Sequence, residues 1–282
     1  MVPSPPIQKT PAPAGEERRY REDVPYLLPK DLNEINRLEF QHFALRAALK
    51  GNYLTPLRDP RRILDIGSGT GVWGREICRE FPQAAVHNVD LEESATESPA
   101  NYHFTTHNIL EGLPFPDNTF DFVHQRLLLW AIPAQAWSPL IKEMLRVSTP
   151  GGCIEIVEGN GITFTNTGPA LSEILEGVKL LAKRRGIDPT IPARLEVYLR
   201  QQGCINVEKQ ELTLPIGKWG GRIGALMEKD LLALIASFRT PFTAALGYKP
   251  DKFDRLYQSV ESEWNRLQTS FIFFIYTGQK SA

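Results

Sequence analysis

The sequence has little of what several function classes require. Only three cysteines occur in 282 residues, and Cys78, Cys153 and Cys204 are widely spaced. Their odd number and separation argue against a disulfide framework or a thiolate metal cluster, and predict buried free thiols. The five histidines form no helical His-x-x-x-His pair, because His103 and His107, four apart, fall in a strand-to-loop passage. No metal site is expected. Excess charge of one sign is also missing: 32 basic and 33 acidic residues leave a formal net charge of −1. The local basic run Lys183-Arg-Arg185 has no interleaved aromatics and reads as a solvated helix end, so no nucleic-acid partner is expected.

Long apolar runs are absent as well. The most apolar stretch near the end, Phe271-Ile-Phe-Phe-Ile-Tyr276, falls far short of the ~20 residues of a membrane helix and suits a buried strand. Residues 1–19 contain Pro3, Pro5, Pro6, Pro11 and Pro13 and end in Glu-Glu-Arg-Arg without an apolar core. They are expected to form a disordered tail and not a signal peptide, which points to a cytoplasmic protein without membrane contact. No paired-carboxylate, Ser-His-Asp or Cys-His pattern stands out, which lowers the case for hydrolytic or covalent chemistry.

What is present centres on Arg62-Ile-Leu-Asp-Ile-Gly-Ser-Gly-Thr-Gly-Val-Trp73. An aliphatic run carries Asp65 near its end, three alternate glycines follow, and the chain then turns helical. Gly67, Gly69 and Gly71 imply a tight turn that a ligand approaches closely. The spacing is neither the dinucleotide Gly-x-Gly-x-x-Gly nor the phosphate loop Gly-x-x-x-x-Gly-Lys-Ser/Thr. An acidic residue before the turn repels a pyrophosphate but accepts hydrogen bonds from an ammonium group or hydroxyls. A nucleoside carrying an amino acid fits better than a diphosphate.

Around this turn, strands are predicted at 61–66, 85–90, 101–106, 120–124 and 152–158. Helices are predicted near 71–80 and 134–148, with a poorly defined one between strands two and three. That alternation implies a parallel, doubly wound α/β sheet with ligands beyond its carboxyl ends. A helical cap spans 20–55, with its helix beginning at Asp31. Helical excursions at 159–202 and 216–268 include helices from Pro169, at 190–202, at 222–239 and at 250–268. Strands at 205–215 and 271–276 complete a single domain over 20–282.

The glycine loop resembles motif I of the class I S-adenosylmethionine-dependent methyltransferases. Val86-His-Asn-Val-Asp-Leu91, the segment Leu113 to Arg126, and Leu145 to Glu158 agree in order. With Tyr26-Leu-Leu-Pro29 and Leu38-Glu-Phe-Gln-His42, they are similar to the branch holding fungal secondary-metabolism methyltransferases and the regulator LaeA. The resemblance implies a Rossmann-like seven-stranded sheet whose last strand runs antiparallel between strands five and six. It implies S-adenosylmethionine as cofactor, held by Asp65, Gly67, Ser68, Gly69 and Gly71, by Asp90 and Leu91 at the ribose, and by Asn108 and Ile109 at adenine. Gln125 and Arg126 face the same crevice, and Tyr26, Arg37 and Gln41 of the cap are placed near the cofactor carboxylate; Arg37 is the clearest, since its fork suits a carboxylate.

His124 is the best single candidate for a general base, with a loop-anchoring ring as the alternative. Glu155 and Glu158 flank strand five, and alternation sends only one of them to the site. Trp130, Phe164 and Trp219 are expected to wall an acceptor pocket. The expected activity is methylation of a small molecule, on oxygen first and nitrogen next, by a monomer or homodimer. A non-methylating cyclase or dehydratase and a LaeA-like regulatory protein are the alternatives.

Overall fold

The computed structural model describes residues 32–94 and 97–282. The proline-rich tail, the first part of the cap and Tyr26 lie outside the described residues. The aliphatic runs form β1 (Arg62–Ile66), β2 (Ala85–Asp90), β3 (Tyr102–Thr106), β4 (Phe120–Arg126) and β5 (Ser148–Thr165). Two later strands, β6 (Cys204–Pro215) and β7 (Ser270–Lys280), complete a seven-stranded sheet of order β3-β2-β1-β4-β5-β7-β6. β7 is antiparallel to both of its neighbours, as the resemblance implied. The chain moves outward from β1 to β3 and then restarts on the other side at β4. That reversal opens a crevice beyond the carboxyl ends of β1 and β4.

The helices are α1 (Leu32–Leu49), α2 (Val72–Glu80), α3 (Trp137–Val147), α4 (Pro169–Arg184), α5 (Leu195–Gln201), α6 (Gly221–Ser237), α7 (Arg239–Leu246) and α8 (Pro250–Leu267). No helix of the described residues is long and apolar enough to cross a membrane.

Strand alternation sorts the core. Ile63, Val86 and Phe122 point to one face and bury Trp73, Ile77 and Cys78 of α2. Leu64, Ile66, Val123, Ile154 and Ile156 point to the other and meet Trp137, Ile141 and Met144 of α3 and Leu199 of α5. Over the carboxyl ends lies a helical layer in which Ala44 and Leu45 of α1 join Phe242, Phe253 and Trp264. Each fully buried Val, Leu, Ile, Phe or Met among them contributes about 1.5–3 kcal/mol. Glu76 of α2 fastens α1 in place, taking His42 Nε2 at 3.2 Å and Arg46 Nε at 2.9 Å.

Four departures from the sequence reading have local causes. No helix forms between β2 and β3 among the described residues, where Pro99 lacks an N–H and Glu92, Glu93 and Glu97 leave no apolar stripe to bury. β5 extends well past 158, because its pairing with β7 resumes after a register shift between Gly159 and Phe164. The helix predicted at 222–239 ends at Ser237, and α7 begins anew with Pro241 in its first turn, where a missing N–H is tolerated. Among the free thiols, Cys78 and Cys204 are buried but Cys153 is only partly so.

Candidate active site

Gly67, Gly69 and Gly71 adopt φ values of 68°, 54° and 70°, the left-handed region that side chains avoid. The turn closes onto β2: Gly67 N and Ser68 N donate to Val89 O at 2.8 and 3.3 Å. Gly69 N donates to Asp90 Oδ2 at 2.8 Å, and Leu91 N donates to Asp90 Oδ1 at 2.6 Å. The loop and the strand-end carboxylate therefore orient one another. Gly71 stands behind the loop as the residue preceding α2.

This turn borders a cleft of about 540 Å³, within the ~300–1,000 Å³ range of small-molecule sites. Gly67, Ser68, Gly69, Asp90, Leu91, Asn108, Ile109 and Arg126 line it, with Leu38 and Gln41 of α1 opposite. Among the described residues, its charged lining is Glu34, Asp65, Asp90, Glu92 and Glu93 against the guanidinium of Arg126. An acidic cleft repels a pyrophosphate and attracts a sulfonium and an ammonium. With glycine backbone at the turn, a carboxylate at the ribose position, and the apolar Leu91 and Ile109 for a base, these residues fit S-adenosylmethionine. The Asn108 amide is engaged within its own turn: Oδ1 accepts from Leu110 N at 3.1 Å, and Nδ2 donates to Glu111 Oε1 at 3.1 Å.

Under the loop, Asp65 and His124 face each other across β1 and β4. His124 Nδ1 lies 2.9 Å from Asp65 Oδ1. A carboxylate only accepts, so Nδ1 carries the hydrogen. The ring stacks on Trp73 at 3.9 Å between centroids and 4° between planes, while Trp73 Nε1 donates to Asn52 O. Nε2 is buried and has no hydrogen-bond partner among the described residues. Beside this pair, Arg126 donates to His42 Nδ1 at 3.0 Å, which leaves the His42 hydrogen on Nε2, facing Glu76. Burial first, and then the Arg126 charge, hold His42 down to about 3, so the ring is neutral. Burial likewise lowers Arg126.

A second cavity of about 100 Å³ adjoins the cleft, since Leu38, Gln41 and Leu127 line both. Trp130 and Phe164 are in its wall, Phe164 stacked on Phe271 at 4.5 Å. Trp219 is not. It is 39% exposed, and its Nε1 donates to Ile216 O within its own turn at 2.8 Å. Leu231, Leu234 and Ile235, further along α6, take the place expected for it.

Two cofactor expectations are corrected by the same chamber. Arg37 lines it and not the cleft: its Nε and one terminal nitrogen grip Glu34 at 2.8 and 2.6 Å, and the other reaches Asp230 Oδ1 at 2.7 Å. Those carboxylates compensate the charge meant for the cofactor. Gln41 borders both spaces, with Nε2 3.3 Å from Asp230 Oδ2. Gln125 follows His124 on β4, so alternation turns it to the opposite face. There it is fully buried and donates to Glu158 Oε1 at 2.6 Å.

The Glu155/Glu158 ambiguity is resolved by the same alternation. Glu155 Oε2 accepts from Leu54 N, Thr55 N and Thr55 Oγ1 at 2.8–2.9 Å and holds the chain after α1. Glu158 lines the chamber and also accepts from Leu128 N at 2.7 Å and Leu129 N at 3.3 Å. Burial outweighs these donors and pushes its carboxyl up to about 8. Asp230 and Glu34 went unread in the sequence. The signal was present for Asp230: it sits in the apolar helical stripe of Met227, Leu231 and Leu234.

Comparison with known proteins agrees with this geometry. Residues 63–152 match the model of a methyltransferase domain family. The chain is 26% identical over 273 residues to the methyltransferase pytC of Aspergillus terreus, covering 90% of this chain and 83% of that one. It is 24% identical over 270 residues to the N-methyltransferase sirN of Leptosphaeria maculans, covering 91% and 95%. Among solved structures, a Haemonchus contortus phosphoethanolamine N-methyltransferase aligns with a TM-score of 0.53 at 19% identity, which establishes a shared fold. That alignment covers 89% of this chain, which spans 59% of the solved chain. The methyltransferase str3 of Strobilurus tenacellus is 30% identical over 203 residues, covering 68% of this chain and 71% of its own length. With identity at that level over most of a methyltransferase, and with β7 antiparallel between β5 and β6, this chain belongs to the class I S-adenosylmethionine-dependent methyltransferases.

Proposed function

We propose that this enzyme methylates a heteroatom on an apolar small molecule of fungal specialised metabolism. The observation that carries this reading is the junction of an acidic cleft with an apolar chamber across Leu38, Gln41 and Leu127. An apolar chamber adjoining the cleft favours an acceptor over a purely regulatory role. S-adenosylmethionine supplies a sulfonium-activated methyl group when bound. The N–H groups of the Gly67–Gly69 turn and the Asp90 carboxylate hold its sugar and amino-acid portions, Leu91 and Ile109 flank its base, and Arg126 takes its carboxylate. Gln41 spans cleft and chamber. Trp130 and Phe164 exclude water from the acceptor, and alignment of the two reactants supplies much of the rate. His124 orients Asp65 under the loop.

Calorimetric titration with S-adenosylhomocysteine, followed by a fungal metabolite screen scored for a gain of one CH₂ unit, tests the reading. Asp90→Ala is expected to weaken that binding by about tenfold or more, from the loss of charged hydrogen bonds, while the unliganded fold persists. Unchanged affinity would remove the ribose role. Conversion of a metabolite without the CH₂ gain would point instead to a non-methylating reaction.

A further inference from the structure

We propose that the chamber accepts a basic amine: an apolar body whose nitrogen sits against Asp230 and gives up its proton to Glu158. The inference rests on the methyltransferase reading and narrows it to one acceptor class, in place of the oxygen acceptor expected first.

Charge is the first argument. Among the described residues, the ionisable groups lining the chamber are Arg37, Glu158 and Asp230. The one guanidinium is already held by both oxygens of Glu34 as well as by Asp230 Oδ1. Asp230 Oδ2 is met by Gln41 Nε2 at 3.3 Å, a long contact for a charged acceptor. An acceptor anion entering here meets the Asp230 carboxylate and no uncompensated cation, whereas an ammonium gains a partner.

Placement is the second argument. Asp230 is 1% exposed, on a helix that otherwise offers Leu231, Leu234 and Ile235 to the chamber. Burying a carboxylate there opposes folding, and an apolar residue of similar volume would pack without that penalty. Trp130, Phe164, Phe238 and Phe271 are also in the wall. Their ring faces suit an apolar body bearing a cation.

Proton transfer is the third. Glu158 Oε1 takes both Gln125 and Leu128, while Oε2 is met by Leu129 N at the longer distance of 3.3 Å. Burial raises this carboxyl to about 8, a basicity suited to taking a proton from an ammonium near neutral pH. The amine then attacks with its freed lone pair: a C–N bond forms to the methyl carbon, and the C–S bond breaks with its electron pair left on sulfur. The product is an N-methylammonium beside Asp230, and the proton on Glu158 passes to water.

The experiment uses the full chain saturated with S-adenosylhomocysteine. Three probes share one body and differ in head group: 2-phenylethylamine, 2-phenylethanol and 3-phenylpropionate. Calorimetry is expected to show the amine binding at least about tenfold tighter than either other probe. Asp230→Asn is expected to erase that preference and retain affinity for S-adenosylhomocysteine. If D230N does not fold, the double variant R37Q/D230N removes the pair together and serves instead. With S-adenosylmethionine present, the amine is expected to gain one CH₂ unit, at a rate that rises toward pH 8. Glu158→Gln is expected to lose that rising limb and keep amine affinity. Equal or reversed preference, or no binding of any probe, overturns the amine assignment. An unchanged pH profile in E158Q overturns the proton role. Failure to bind S-adenosylhomocysteine at all overturns the underlying methyltransferase reading.

Discussion

The His124 imidazole donates to the Asp65 carboxylate across 2.9 Å, between paired positions of neighbouring strands. On that contact and the stacking of Trp73 on the ring, we propose that His124 braces Asp65 and does not act as a mobile base. It borders the cofactor cleft and does not line the acceptor chamber.

His124→Asn retains a donor near the ring Nδ1 position and is expected to keep turnover within about tenfold. His124→Ala loses both the bond and the stacking, and is expected to cost about 2–4 kcal/mol in urea unfolding together with cofactor affinity. A drop on the order of a hundredfold in turnover for the Asn variant, with affinity intact, would restore the base assignment.

The glycines of the turn are not equivalent. A Cβ on Gly69 would have Leu38 Cδ1 as its nearest neighbour at 3.7 Å, whereas one on Gly67 would stand 2.4 Å from Leu128 Cδ2. Both alanine variants carry left-handed strain of about 1–2 kcal/mol. Gly67→Ala also drives Leu128, which lines the cleft, into cofactor space. It is expected to lose more cofactor affinity than Gly69→Ala at comparable thermal stability. Equal losses in paired titrations would refute the steric account.

Glu158 makes stability depend on pH with a defined sign. Its folded pKa of about 8 lies above the ordinary 4.5, so the native state holds a proton that the unfolded chain has released. That contribution is complete below 4.5 and is lost as pH rises through 8. His42, lowered from 6.5 to about 3, acts oppositely and only below 6.5. Between pH 6.5 and 8 the Glu158 contribution should fall with a slope of at most about 1.4 kcal/mol per pH unit. Glu158→Gln is expected to flatten the decline in denaturant midpoints; a slope that survives would place the titrating group elsewhere.

Trp130 and Trp219 separate wall from surface. Trp130→Ala is expected to change acceptor affinity or selectivity, because it enlarges the chamber. Trp219→Ala, at an exposed turn, is expected to leave acceptor kinetics within about twofold, as surface changes usually do. Comparable kinetic losses in the two variants would bring residue 219 back to the pocket.

Much of this molecule was legible locally. Alternating aliphatic runs located β1 to β5, and the glycine spacing located a turn that needs left-handed backbone. Asp90 was legible as the carboxylate ending the second strand, and the resemblance assigned it to the cofactor; in the structure it meets the loop at Gly69 N. Strand periodicity also implied that Gln125 and His124 part company, although the shared-crevice expectation set it aside.

What the sequence by itself determined was therefore the strands, the glycine turn and the residue types that end beside it, because periodicity and turn chemistry depend on neighbours a few residues apart. Tertiary structure alone decided the acceptor side. Arg37 meets Asp230 across 193 positions, and Gln125 meets Glu158 across 33. A guanidinium near a cofactor cleft attracts whichever carboxylate the packing delivers first. Here α1 lies against α6, so the buried Asp230 takes it, and desolvation makes that pairing hard to exchange.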